Sequence, residues 1–254
     1  MKVLGLDTST LTSGIALLDG DHVLAEARHD ASARTADLLV AIDRVCKDAG
    51  VAPMDLDAIA VGAGPGSFTG LRIGMATAKG IAFAAGKPLW AVSSLAALAW
   101  DASCDPVATE RMWRIPGGAF VAALDARRGE VFAGCYRADE TTGAWTLVGE
   151  ERVLAPRELG PWVAQLTDRL YADWNGLYLS YAGDALAAYP AELGTLSGLW
   201  LAPRTPSGVA VARLALSGTR VDVLISGGPT YIRPSEAEVM YPDGVPGALR
   251  KRDP

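Results

Sequence analysis

Histidine is the scarcest chemistry-bearing residue in this 254-residue chain, with His22 and His29 the only two. A zinc or iron centre built on histidine pairs, or a serine–histidine–aspartate machine, would have to use one of them. They lie in a segment that reads as a hairpin strand, at an odd spacing that puts them on opposite faces, and they are read as strand-surface residues. Cysteine is nearly as sparse: Cys46, Cys104 and Cys135 are odd in number, far apart and form no CxxC pair. That usage fits a reduced, cytosolic protein and excludes a disulfide scaffold. No apolar run approaches the roughly 18 residues of a membrane span. The short apolar run after Lys2 is interrupted by Asp7, so it reads as a strand and not as a signal peptide. Basic charge is in deficit, with 23 Lys and Arg against 29 Asp and Glu and a net charge of -6. A broad electrostatic grip on a phosphate backbone is therefore absent, and nucleic-acid contact would need a local patch.

What is present is an ordered globular composition, 50% hydrophobic and 20% charged. The length suits one large domain or two small ones. Glycine is concentrated in Val61-Gly62-Ala63-Gly64-Pro65-Gly66-Ser67-Phe68-Thr69-Gly70-Leu71-Arg72-Ile73-Gly74, where an apolar strand runs into a loop that opens a helix. Such density loses much backbone entropy on folding, so it implies left-handed torsions or a close approach to something. The strand–loop–helix context suits an anion site. The loop nevertheless lacks the third glycine of a dinucleotide fingerprint and the Gly-Lys-Ser/Thr end of a P-loop. The helix that follows carries two rows of small residues, Gly70, Gly74, Ala78 and Ala82 beside Ala76, Gly80 and Ala84. Small rows permit close packing, either against the chain's own sheet or against a partner chain.

Read in order, Lys2–Asp7, Gly14–Asp19 and Val23–His29 form three antiparallel strands, with a polar turn at Thr8-Ser9-Thr10 and a tight turn at Gly20-Asp21. Thr35–Ala49 is an amphipathic helix closed by Gly50, with Leu38, Leu39, Ile42, Val45 and Cys46 on its apolar face. A buried strand at Leu56–Gly62, a helix at Ser67–Ala85, a strand at Lys87–Ser93 and a helix at Ser94–Ala102 follow. Residues Cys104–Gly118 read as a linker or surface excursion. The pattern then restarts: strands at Phe120–Asp125, Glu130–Arg137 and Trp145–Val153, a helix at Pro156–Leu170, a strand at Leu177–Ala182, a short helix and a strand at Leu199–Leu201. A helix spans Ser207–Leu216, and the Gly- and Pro-rich tail from Ile225 ends in Arg250-Lys251-Arg252, a solubilising end. The expected division is a first domain of 1–103 plus 205–225, a smaller second domain of 104–204 and a tail of 226–254.

A duplicated α/β unit of this order resembles the actin-like ATPase superfamily, in which each half carries an Asp-bearing turn and nucleotide sits between the halves. The expected fold is two such ribonuclease H-like units, each a mixed five-stranded sheet with helices. Three segments sharpen the resemblance: Leu6-Asp7-Thr8-Ser9-Thr10, the glycine stretch Gly64–Gly74, and Leu124-Asp125-Ala126-Arg127-Arg128-Gly129-Glu130-Val131-Phe132. With Tyr231-Ile232-Arg233-Pro234 near the end, they resemble the TsaB family of bacterial tRNA threonylcarbamoyladenosine-biosynthesis subunits. That resemblance implies a cytoplasmic, non-catalytic partner of TsaD, the subunit that transfers threonylcarbamoyl to adenosine 37 of tRNAs reading codons that begin with A. It implies TsaE, a small ATPase, as a further partner, ATP used by the complex, tRNA met only through the complex, and a homodimer when the chain is alone. In that family the two helices at Leu38–Ala49 and Ser67–Ala85 pack against TsaD or a second copy. The expected partner face is therefore Leu38, Ile42, Val45, Gly70, Leu71, Arg72, Gly74 and Ala78, and the expected nucleotide-like remnant is Asp7, Thr8, Ser9 and Thr10.

The catalytic relative holds its metal on an HxxxH pair. Here the matching stretch Ala31–Leu39 has no histidine, so no metal is expected. Asp125-Ala126-Arg127-Arg128 puts bulky side chains where a second phosphate turn needs glycine, and the arginines read as a solvated hairpin tip or an RNA contact. The other class of function is an independent actin-fold enzyme, a small-molecule kinase or hydrolase, which should keep that turn.

Overall fold

The computed structural model describes residues 1–30, 35–112, 118–138, 145–171, 179–233 and 240. Strands β1 (Lys2–Asp7), β2 (Thr12–Asp19) and β3 (His22–Asp30) form the expected antiparallel meander, and α1 (Thr35–Asp48) follows. Then come β4 (Ala58–Gly62), α2 (Phe68–Ala85), β5 (Leu89–Val92) and α3 (Ser94–Ser103). Ser67 caps α2 by accepting from the Gly70 amide, Gly86 closes it at φ 65°, and Ser93 caps α3. The β1–β4 and β4–β5 pairings are parallel, so the sheet is mixed.

The segment expected as a linker is corrected: α4 (Pro106–Met112) lies in it, with Ala108 buried. Asp105 starts this helix by accepting from the Val107 amide at 2.9 Å. The second half has β6 (Ala119–Arg127) and β7 (Glu130–Ala138). The single strand expected at Trp145–Val153 is in fact two, β8 (Trp145–Leu147) and β9 (Arg152–Leu154), which both pair with β7. The break falls at Gly149, whose φ of 85° favours glycine. A 3₁₀ turn at Pro156–Glu158 leads into α5 (Leu159–Tyr171), and β10 (Leu179–Ala182), α6 (Ala185–Ala188), α7 (Pro190–Leu193) and β11 (Leu199–Trp200) complete the unit. The chain closes with α8 (Gly208–Leu216) and β12 (Val221–Asp222).

The first sheet runs β12-β5-β4-β1-β2-β3 and the second β11-β10-β6-β7-β8, with β9 also on β7. Each therefore has six strands rather than five; β12 adds to the first, and the β8/β9 split adds to the second. Three cores separate the layers. Leu38, Ile42 and Val45 of α1 and Met75, Ala78 and Ala82 of α2 cover one face of the first sheet. Helices α3 and α8 fill the space between the sheets, against Phe120, Leu124 and Phe132. Helices α5 to α7 cover the outer face of the second sheet. The fold is thus a duplicated actin-like α/β unit with a cleft between its halves. Close approach of α8 needs glycine on both sides, since a Cβ on Gly5 would lie 2.0 Å from the Gly208 carbonyl oxygen. None of the helices among the described residues is long and apolar enough to cross a membrane.

Candidate functional site

The cleft has a volume of about 740 Å³. One wall is Ser9 to Leu11 with Pro65 to Thr69, the other is Leu124 to Arg128 with Phe132 and Asp184, and Thr230 to Arg233 crosses its mouth. This is where two Asp-bearing turns face each other, so its chemistry decides between an enzyme and a remnant.

The first turn is closed on itself. Asp7 is fully buried. Its Oδ1 accepts from the Ser9 amide at 2.8 Å and the Ser9 hydroxyl at 2.6 Å, and its Oδ2 accepts from the Ser94 hydroxyl at 2.6 Å. Burial pushes the Asp7 carboxyl above the usual carboxylate range, against the pull of these bonds. Thr8 donates its hydroxyl to the Gly70 carbonyl at 2.8 Å, and Thr10 donates to the Thr12 carbonyl at 2.9 Å. Each hydroxyl has one proton to give, so all three hydroxyl donors of Thr8-Ser9-Thr10 are spent inside the chain.

The glycine stretch is what closes it. A Cβ on Gly62 would lie 1.8 Å from Asp7 Oδ2, one on Gly66 2.5 Å from the Ser9 carbonyl oxygen, one on Gly70 2.1 Å from the Thr8 carbonyl oxygen and one on Gly74 2.1 Å from Thr8 Oγ1. The Ser67 amide donates to the Ser9 carbonyl at 2.7 Å. Of the alternatives left open by the sequence, close internal packing therefore accounts for Gly62, Gly66, Gly70 and Gly74. Gly80, in the other small row, has open space around it.

The second turn is built for side chains. Arg127 and Arg128 sit at φ 63° and 58°, and Gly129 at 76°. Left-handed torsions cost a non-glycine residue roughly 1–2 kcal/mol, and a phosphate-cradling turn would place glycine at such positions. Asp125 accepts from the Arg127 amide at 2.8 Å and from the Tyr189 hydroxyl at 2.9 Å, and pairs with the Arg127 guanidinium at 2.9 Å. The Asp125 amide donates to Asp184 at 2.8 Å. Burial raises the Asp184 carboxyl. In the first turn the side-chain hydroxyls are engaged within the chain, and in the second arginines stand where a glycine turn would bring backbone to the cleft.

The structure brings Asp7, Thr8, Ser9 and Thr10 together with Gly70, Leu71 and Gly74 as one packed unit. The residues expected at a partner face divide differently. Leu38, Ile42, Val45, Leu71, Gly74 and Ala78 are buried within the chain, while Arg72 is exposed. On the same helices the exposed apolar residues are Leu39, Val40 and Phe83, the last 83% accessible, with Ala76, Gly80 and Ala84 beside it along α2. Arg72 stacks 3.9 Å over the Phe68 ring and donates through Nε to the Tyr231 hydroxyl at 3.1 Å. Sequence reasoning missed the Ser94–Asp7 contact and the cross-cleft bonds of Arg233, because no local period marks a contact between distant segments. The arginine itself was visible in the closing Tyr231–Pro234 stretch, of which Pro234 lies outside the described residues. Residues 31–34, where an HxxxH pair would begin, also lie outside the described residues. Among the described residues no three His, Cys, Asp or Glu side chains gather as a metal site.

The fold and the site define a class: an actin-like α/β protein whose first cleft turn is engaged within the chain and whose second carries arginines. Residues 29–196 match the family model described as "TsaD: tRNA N6-adenosine threonylcarbamoyltransferase". The Escherichia coli tRNA threonylcarbamoyladenosine biosynthesis protein TsaB is 34% identical over 202 residues, 79% of this chain and 78% of that protein. The Bacillus subtilis protein of the same name is 39% identical over 54% of this chain and 56% of its own length. The solved structure of YeaZ from Pseudomonas aeruginosa superposes with a TM-score of 0.70 at 29% identity, covering 91% of this chain and 99% of that one. The chain belongs to the TsaB family.

Proposed function

We infer that this chain is a non-catalytic subunit required for threonylcarbamoyl modification of adenosine 37 in tRNA, acting in the cytoplasm by binding and activating the transferase TsaD. The observation that carries the non-catalytic part is the closed first turn, with every hydroxyl donor of Thr8-Ser9-Thr10 engaged inside the chain. The names of the relatives support the pathway. The docking surface is the solvent side of α1 and α2, where Leu39, Val40 and Phe83 are exposed on helices that share one face of the first sheet. TsaE and ATP enter through the assembled complex, and tRNA meets this chain only there. In the free protein the same surface pairs two copies.

The test is co-elution with TsaD on size exclusion. Val40→Asp and Phe83→Asp place a charge in a surface that must desolvate, so each is expected to abolish the complex while leaving thermal stability unchanged. A complex that survives both substitutions contradicts this surface. The rival reading, an independent kinase or hydrolase of this fold, has no observation in its favour: the second turn carries Arg127 and Arg128 at left-handed torsions where such an enzyme would bring backbone to phosphate.

A further inference from the structure

Actin-like halves are ordinarily joined across their cleft by what the cleft binds, yet here both turns are filled from within. The core of α3 and α8 joins the halves at the base of the cleft, and one segment touches both walls at its mouth. Residues 225–233 have no regular structure and run along α2 and then across the cleft mouth. On the first wall, Lys79 donates to the Gly227 carbonyl at 2.8 Å and the Thr230 amide donates to the Ala63 carbonyl at 2.7 Å. The Tyr231 ring lies 4.8 Å from the Phe68 ring. Its hydroxyl accepts from Arg72 Nε at 3.1 Å. On the second wall, the Arg233 guanidinium donates to the Ala126 carbonyl at 2.7 Å and to Glu130 at 2.9 Å. It also lies 5.6 Å from the Phe132 ring.

We propose that Thr230–Arg233 is an intramolecular clasp that holds the two halves at a fixed separation across the cleft, in place of a bridging ligand. The anchors are of different kinds. Tyr231 and Thr230 fasten to the strand–loop–helix of the first half, and Arg233 fastens to the arginine turn of the second. The backbone from Tyr231 to Arg233 spans at most about 7 Å when extended, so there is little slack, and the mouth of the cleft, hinged on the α3 and α8 core, cannot widen without releasing an anchor. A charge-assisted bond to Glu130 together with a bond to a backbone carbonyl is a stronger fastening than either alone. Close passage is built in on the first wall: Gly64 sits at φ 107°, and a Cβ there would lie 2.9 Å from the Thr230 carbonyl oxygen.

The test is a distance distribution between the halves, read by pulsed electron resonance on the full chain. Cys104 is replaced by serine, and spin labels are placed at Lys47→Cys on α1 and Glu192→Cys on α7, both exposed and both away from the cleft. The parent should give one narrow distribution. Arg233→Ala and Tyr231→Ala each release one end and should each broaden the distribution and move it by several ångströms, with circular dichroism unchanged. Arg233→Lys keeps a donor for Glu130 and should stay close to the parent. Parent-like widths in either alanine variant overturn the clasp. So does an Arg233→Ala chain that fails to fold, because it would make the arginine part of a core rather than a fastener. Addition of ATP with magnesium is a further arm: an alanine variant restored to the parent distribution by nucleotide would overturn the claim that the segment replaces a bridging ligand.

Discussion

Gly74→Ala and Gly80→Ala should change stability in opposite directions, although both add one methyl to the same helix. Alanine is better than glycine in a helix interior by roughly 1 kcal/mol, and both variants gain that. At Gly80 nothing lies within 4 Å of the new Cβ, so the gain stands alone. At Gly74 the Cβ falls 2.1 Å from Thr8 Oγ1 and 3.1 Å from Thr8 Cβ and Cγ2. Thr8 is buried and donates to the Gly70 carbonyl at 2.8 Å, so it cannot swing aside without losing that bond. Overpacking costs about 1–3 kcal/mol, and a stranded buried hydroxyl about 1–3 kcal/mol. The net expectation is a loss of about 1–5 kcal/mol for Gly74→Ala and a gain of up to about 1 kcal/mol for Gly80→Ala, read from urea unfolding at constant m. Thr8→Ala removes Oγ1 and Cγ2, so it should rescue Gly74→Ala with a coupling of about 1–3 kcal/mol in a double-mutant cycle. Additive Thr8 and Gly74 effects, or a stabilising Gly74→Ala, would refute the reasoning that the glycine row exists to seat the Thr8 turn.

Three further outcomes follow from named groups. Asp101 joins α3 to the start of α8 by accepting from the Ser207 amide and hydroxyl, and burial pushes its carboxyl up to about 6 from an ordinary 3.8. The folded state therefore holds this proton more tightly than the unfolded chain. Its contribution is full below about pH 4 and is lost as pH rises through 6, roughly 3 kcal/mol in all. The stability difference between the parent and Asp101→Asn should shrink over that window, and a flat difference in pH-dependent urea unfolding would contradict it. Gly62→Ala, with its Cβ 1.8 Å from Asp7 Oδ2 against a fully buried carboxylate, should give no soluble folded protein, as judged by near-ultraviolet dichroism. Gly86→Ala puts a Cβ on the left-handed cap of α2 at φ 65°. It should lower the melting temperature by about 2–4 °C, the shift that roughly 1 kcal/mol produces in a chain of this size.

The parts of the fold that were legible in the sequence are those with a sustained period. The β1–β3 meander, α1, α2 and α3 fall within a few residues of where alternation and caps put them. The strand expected at Leu199–Leu201 is present as β11, whereas the two-residue β12 is too short to carry a period and exists only because its chain returns to pair with β5. The short helix α4 was hidden by prolines and charges that resemble a linker. For the site, the apolar stripe of α1 is buried within the chain. Leu38, Ile42 and Val45 recur at three- and four-residue spacing because they face the sheet, and that is what a core stripe looks like. Leu39, read from the sequence as part of that stripe, is instead exposed beside Val40. The glycines were correctly read as marking a close approach, but their partner, Thr8 and Ser9, lies some sixty residues earlier and no local pattern points to it.

The central claim is that a chain with closed phosphate turns serves a transferase without performing the transfer. The most direct measurement adds the purified chain to TsaD, TsaE, ATP, a threonylcarbamoyl donor and tRNA, and counts the modified nucleoside. The account predicts that modification depends on the chain and persists with Asp125→Asn, whose carboxylate would be indispensable in a working second turn. Modification that proceeds equally well without the chain, or that is abolished by Asp125→Asn in a folded protein, would contradict it.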